Sequence, residues 1–157
     1  MKDMEINDLI SSDVVVANLK ATSKKQVLQD LSRRASDATG LHERAIFDVL
    51  MERERLGTTG VGNGIAIPHG KLSDLNRLHG HFARLEHPVD FQAIDERPVD
   101  LIFLLLAPES AGADHLKALA KVSRVLRDDS ICEKLRGTDT SDALYAILTG
   151  SIEHQAA

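Results

Sequence analysis

Val99 to Ala107 reads VDLIFLLLA, with Asp100 as its one polar residue, and it follows directly on Pro98. A strand with one wet face alternates apolar and polar residues, so apolar side chains at successive positions require cover on both faces. The run therefore predicts a buried central strand, and the rest of the chain has to supply two covering layers.

Upstream, His79 to Leu85 alternates loosely and predicts a neighbouring strand, with a turn near His87 and Pro88. The segment Gly57 to Gly70, GTTGVGNGIAIPHG, sets four glycines before the apolar triplet Ile65, Ala66 and Ile67. That is the pattern of a loop delivering a short strand. Two helical periodicities come earlier. One runs through Val27, Leu28, Leu31, Ala35 and Ala38, opening on Ser23 and Gln26 at capping-box spacing and closing at Gly40. The other runs through Ala45, Ile46, Val49, Leu50 and Leu56, from about Glu43 to Gly57. Ahead of both, Val14, Val15 and Val16 form a β-branched run that predicts a first strand. Downstream, the loop Pro108 to Gly112 precedes a helix marked by Leu116, Leu119, Val122 and Leu126. Ile131 to Leu135 and Leu144 to Leu148 predict two more helices, and the tail after Gly150 is expected to fray.

Strands interleaved with helices, one strand being apolar throughout, predict an α/β fold: a single-domain sandwich with a central mixed β-sheet flanked by helices on both faces. Its core is expected over about residues 6–148 of the 1–157 chain, with 150–157 as tail. The length and the 43% hydrophobic and 27% charged composition suit one such domain and leave no room for a second.

With 24 acidic against 19 basic side chains, the net charge of −5 repels a phosphate backbone, so no nucleic acid partner is expected. The single cysteine, Cys132, lies in the short amphipathic segment Ser130 to Leu135 and reads as a packed apolar side chain. Met1 to Asp8 lacks the basic-then-apolar order of an export signal, and no apolar run reaches the length of a membrane span. The expected location is the cytoplasm, without membrane insertion.

Gly60 and Gly62 open like a dinucleotide fingerprint, but Ile65 stands where the third glycine belongs and the glycines precede a strand instead of following one. No Gly-Lys-Ser or Gly-Lys-Thr follows them to make a Walker loop, and no cofactor is expected. His79 and His81 share a strand face, as two metal ligands would. Without cysteine or acidic partners at suitable spacing they read as structural or solvated residues, and no metal site is expected. His42 and His87 read as surface residues.

His69 has an unusual backbone setting. Pro68 has a fixed φ and biases Ile67 towards an extended conformation, while Gly70 removes side-chain bulk just beyond. The imidazole is expected to stand fixed and accessible, and a neutral imidazole nitrogen is a competent nucleophile near neutral pH. The same three residues also fit an ordinary loop histidine, and the pattern alone leaves both readings open.

The stretch RERLGTTGVGNGIAIPHGKL, Arg53 to Leu72, resembles the phosphorylation-site signature of the fructose, mannitol and nitrogen-regulatory enzyme IIA domains of the bacterial phosphotransferase system. FQAIDERPVDLIFLLLAPES, Phe91 to Ser110, and HLKALAKVSRVL, His115 to Leu126, are similar to later parts of the same domain, so the likeness runs from about Ile6 to Leu148. Thr58 stands where serine is common and keeps the hydroxyl. The resemblance implies that His69 carries the phosphate on its outer ring nitrogen, that Arg53 is the nearby cation, and that His115 is a second histidine facing the phosphoryl group. Thr59 and Asn63 are implied as weaker phosphate-binding positions. It implies an HPr-like phosphocarrier as donor, a largely regulatory, nitrogen-type role in signalling, and target proteins such as transporters or kinases. Two alternatives stand beside this: a sugar-transport IIA that passes phosphate to a IIB cysteine, and a non-catalytic protein-binding module.

Phosphoryl transfer between two histidines depends on holding the three equatorial oxygens while donor and acceptor nitrogens align. Arg53 offers a planar fork of donors for that purpose, and His115 falls where the first turn of a helix leaves backbone N–H groups free. Apart from the resemblance, Arg53 reads equally well as half of a surface ion pair and His115 as an exposed first-turn histidine.

Overall fold

The VDLIFLLLA run lies in β6 (Val99–Pro108), at the centre of a computed structural model that describes residues 4–150. Before it come β1 (Val15–Leu19), α1 (Lys24–Thr39), α2 (Glu43–Arg55), β2 (Gly60–Gly62), β3 (Ile65–Ala66), β4 (His69–Leu72) and β5 (His79–Val89). After it come α3 (Ala113–Leu126), α4 (Asp129–Arg136) and α5 (Ser141–Thr149). The sheet order is β1-β5-β6-β3-β2, and β4 also pairs with β6. β5 runs antiparallel to β6, while β3 and β4 run parallel to it, which makes the sheet mixed.

All six side chains from Leu101 to Leu106 are fully buried. Ile102, Leu104 and Leu106 pack with Leu28, Leu31, Ile46 and Leu50 of α1 and α2. Leu101, Phe103 and Leu105 pack with Val122, Leu135 and Leu144 of α3, α4 and α5. Each such side chain contributes about 1.5–3 kcal/mol through burial. Apolar on both faces, β6 carries no inside–outside alternation to set its register. Its one polar residue supplies an anchor, because the Asp100 carboxylate accepts from Arg136 Nε at 3.0 and 3.1 Å and from Nη2 at 3.0 Å.

Side-chain caps open α1, α4 and α5, from Ser23, Asp128 and Thr140. Ser23 Oγ accepts from the Gln26 N–H at 3.2 Å, but the capping box is only half made. Gln26 Oε1 instead accepts from the N–H and the hydroxyl of Thr22, at 2.8 and 2.7 Å. Val14 belongs to a 3₁₀ turn, and the first strand begins one residue later.

Three expectations change. β5 continues through His87 and Pro88, where a turn was expected, and its register against β6 shifts between Arg84 and Val89. A proline, with no N–H to offer a ladder, is tolerated at such an irregularity. The glycine-rich segment is also more ordered than a loop: β2 and β3 form a hairpin whose turn residues Asn63 (φ 58°) and Gly64 (φ 80°) both take the left-handed conformation that tight hairpins need. Lastly, β3 and β4 lie end to end along β6, interrupted at Ile67 and Pro68, and the Leu105 N–H donates to the Pro68 carbonyl at 2.9 Å. His69 therefore opens a strand. The tail after Gly150 lies outside the described residues. Among the described residues, no helix is long and apolar enough to cross a membrane.

Candidate active site

β6 ends at Pro108, and the chain turns through Glu109–Ala111 and Gly112 into α3. Gly112 takes φ 56° and ψ −125°, a conformation that strains any residue with a side chain. This turn sets His115, third in α3, against His69 at the start of β4, with ring centroids 5.7 Å apart and planes inclined by 58°. From the other side α2 crosses β4, and its last turn brings Arg53 to the same place.

Two hydrogen bonds orient the His69 ring. Nδ1 lies 2.9 Å from the Ile67 carbonyl oxygen, and Arg53 Nε donates to Nε2 across 3.2 Å. A carbonyl only accepts and a guanidinium only donates, so Nδ1 carries the proton and Nε2 the lone pair. Arg53 is itself held by donation from Nη1 to the Gly57 carbonyl at 2.8 Å. Burial pushes His69 below the ordinary histidine value, against the bond to Ile67, which favours the protonated ring. Burial also lowers His115, reinforced by the His69 ring and Lys71. Both rings are therefore neutral near pH 7.

Val49, Glu52, Arg53, Leu56, His69, Gly70, Lys71 and His115 line a cavity of about 340 Å³. Leu56 is 80% exposed on its rim, and Leu116, which follows His115, is 67% exposed. His115 is itself buried, and among the described residues its Nδ1 has no hydrogen-bond partner. Lys71 was not singled out from the sequence, although a spacing of two from His69 on a strand places both on one face.

Of the five residues implied by the resemblance, the structure brings His69, Arg53 and His115 together. Thr59 is buried behind them, donating its hydroxyl to the Glu54 carboxylate and its N–H to Glu54 Oε1 at 3.1 Å. Asn63 sits in the hairpin turn, where its N–H donates to Asp95 at 2.9 Å and its carbonyl accepts from Arg136 at 2.7 Å. It is not among the residues lining the cavity. On β5, His79 Nε2 and His81 Nδ1 are 2.9 Å apart, and burial holds His81 down at about 3. His42 and His87 are exposed, and Cys132 is buried with its thiol donating to the Leu126 carbonyl at 3.1 Å.

The family model for the phosphoenolpyruvate-dependent sugar phosphotransferase system, EIIA 2, matches residues 8–151. A nitrogen regulatory protein of Bradyrhizobium diazoefficiens is 55% identical over 145 residues, spanning 92% of this chain and 95% of the relative. One from Escherichia coli K12 is 39% identical over 93% of this chain and 90% of its own length. The crystal structure of nitrogen regulatory protein IIA-Ntr from Neisseria meningitidis superposes with a TM-score of 0.87 at 35% identity, over 92% of this chain and 99% of that one. With a family model matched over residues 8–151, a relative 55% identical along 95% of its length and a solved structure superposing at a TM-score of 0.87, the chain belongs to the EIIA 2 family of the phosphoenolpyruvate-dependent sugar phosphotransferase system.

Proposed function

We propose that the chain is a regulatory, nitrogen-type IIA phosphoryl carrier of the cytoplasm, which accepts phosphate on His69 Nε2 from a histidine-phosphorylated HPr-like protein. The observation that carries this reading is the His69 tautomer. With Nδ1–H committed to the Ile67 carbonyl, the lone pair on Nε2 lies beside Arg53 and within the cavity wall shared with His115.

In the transfer, a new N–P bond forms at Nε2 while the N–P bond of the donor breaks, and its electron pair returns to the donor nitrogen. Nδ1 keeps its proton, so the phosphorylated ring carries positive charge, and the Ile67 carbonyl stabilises it. Arg53 turns its donors from Nε2 to the equatorial oxygens. On His115, a proton on Nε2 leaves only a lone pair at the buried Nδ1, which costs less than an orphaned N–H and gives the cavity a further donor. The regulatory half of the reading is supported by similarity to the Bradyrhizobium and Escherichia coli proteins named for nitrogen regulation.

The test is incubation with phosphoenolpyruvate, enzyme I and an HPr-like carrier, followed by mass measurement. Wild type gains one acid-labile phosphoryl group, His69→Ala gains none, and Arg53→Ala labels about a hundredfold more slowly, as expected for loss of one preorganised donor. A wild type that stays unlabelled ends this reading. Mixed with purified sugar-specific IIB proteins, the labelled chain retains its phosphate; rapid loss to one of them would make it a transport intermediate instead.

A further inference from the structure

Arg53 and Glu54 are consecutive residues in the last turn of α2, yet only Arg53 reaches the cavity. Glu54 turns inward, its side chain 4% exposed, and its Oε1 is 2.8 Å from Lys24 Nζ at the start of α1. Lys24 Nζ also donates to the Phe91 carbonyl at 3.3 Å and lies 4.9 Å from the centroid of the Phe91 ring. A buried ion pair is a poor source of net stability, because desolvating two charges offsets most of their attraction. Its effect is directional: it fixes where each group points.

Two sets of contacts hold the His69 ring, and Glu54 stands behind the first. In the first, Glu54 accepts the N–H and the hydroxyl of Thr59, and the Thr59 carbonyl accepts the Ile67 N–H at 3.0 Å. The Ile67 carbonyl in turn accepts Nδ1–H of His69. In the second, the adjacent Arg53 holds the Gly57 carbonyl and donates to His69 Nε2. The hydrogen bond at Nδ1 thus traces back to a carboxylate that touches neither the ring nor the cavity, while the one at Nε2 comes from its neighbour in the chain.

We infer that Glu54, held by Lys24 and acting through Thr59, is a positioning residue that fixes the His69 tautomer and aims Nε2 at the incoming phosphoryl group. Without the pair, the Thr59 segment loosens and the ring also samples the tautomer with its proton on Nε2. The lone pair then sits on Nδ1, facing the Ile67 carbonyl, and cannot attack. The effect on rate rests on the carrier reading above; the effect on the ring does not.

The experiment uses the full chain and two readouts: ¹⁵N chemical shifts of the His69 ring nitrogens at neutral pH, and the initial rate of phosphorylation. Glu54→Gln and the near-isosteric Thr59→Val are compared with Thr59→Ser, which keeps the hydroxyl. In wild type and Thr59→Ser the shifts report a proton on Nδ1. In Glu54→Gln and Thr59→Val they move towards a mixture, and phosphorylation slows by about ten- to a hundredfold, the range for lost orienting contacts. Should Glu54→Gln fail to fold, Thr59→Val decides alone. Shifts unchanged from wild type in a folded variant overturn the inference, whatever the rate does. A wild type that takes no phosphate but still loses its Nδ1–H tautomer in these variants upholds the positioning role and removes only the carrier reading.

Discussion

At Gly70 the backbone of β4 passes so close to α2 that an added Cβ would collide with Val49 Cγ1. The sequence reading credits this glycine with clearing space beside the histidine; the space is in fact occupied by Val49. A methyl group there overpacks the α2–β4 contact and is expected to lower stability by about 1–3 kcal/mol. Urea unfolding of Gly70→Ala checks this, and adding Val49→Ala in the same chain is expected to recover part of the loss. A Gly70→Ala variant as stable as wild type would refute the packing account. Since Arg53 leaves the same helix one turn later, the glycine also helps decide how closely the guanidinium approaches His69.

The hairpin of β2 and β3 is fastened to α4 by one side chain. Arg136 binds Asp100 on β6 and the Asn63 carbonyl in the turn, and Arg84 on β5 donates to the Arg136 carbonyl at 2.9 Å. Both members of the ion pair are partly exposed, so Arg136→Ala is expected to cost only about 1–2 kcal/mol. Hydrogen exchange is the sharper probe: hairpin amides should exchange faster in the variant while those of α1 do not, and equal exchange throughout would remove the fastening role. What could be read in advance follows from the range of the interactions. α1, α2 and β6 declare themselves because periodicity and caps act within a few residues. The Asn63–Gly64 turn was legible too, as a hairpin dipeptide, but it was passed over inside a glycine-rich segment. The continuation of β5 through Pro88 was not legible, because only the partner strand shows that a ladder can shift there. At the site, the resemblance pointed to His69, Arg53 and His115, which the structure brings together, and to Thr59 and Asn63, which do not line the cavity. The tautomer of His69 depends on where the Ile67 carbonyl lies relative to the ring, and the contact of Glu54 with Lys24 depends on α1 meeting α2; neither leaves a trace in residue spacing.

Among the described residues, four histidines are held below their ordinary value, with burial as the first cause in each: His69, His79, His81 and His115. The unfolded chain protonates these rings near 6.5 and the folded chain only at lower pH, so the unfolded state binds more protons in between. Stability is accordingly full above about 6.5 and falls as the pH drops, and for His81 the fall continues towards about 3. At pH 5, His81 alone accounts for on the order of 2 kcal/mol. Unfolding free energies at pH 7 and pH 5 should differ by at least this much, and His81→Asn should flatten the difference even though it loses the contact to His79. An acid limb equally steep in that variant would rule His81 out as its source.

The His69 ring is moored to the backbone on its inner side, and the ring lines the cavity. On the carrier reading proposed above, loading it sets a doubly charged phosphoryl group on a cationic ring, a net gain of about one negative charge beside Leu56 and Val49. On that reading the same face carries one of two charge states, and a charged partner meets them as two different surfaces.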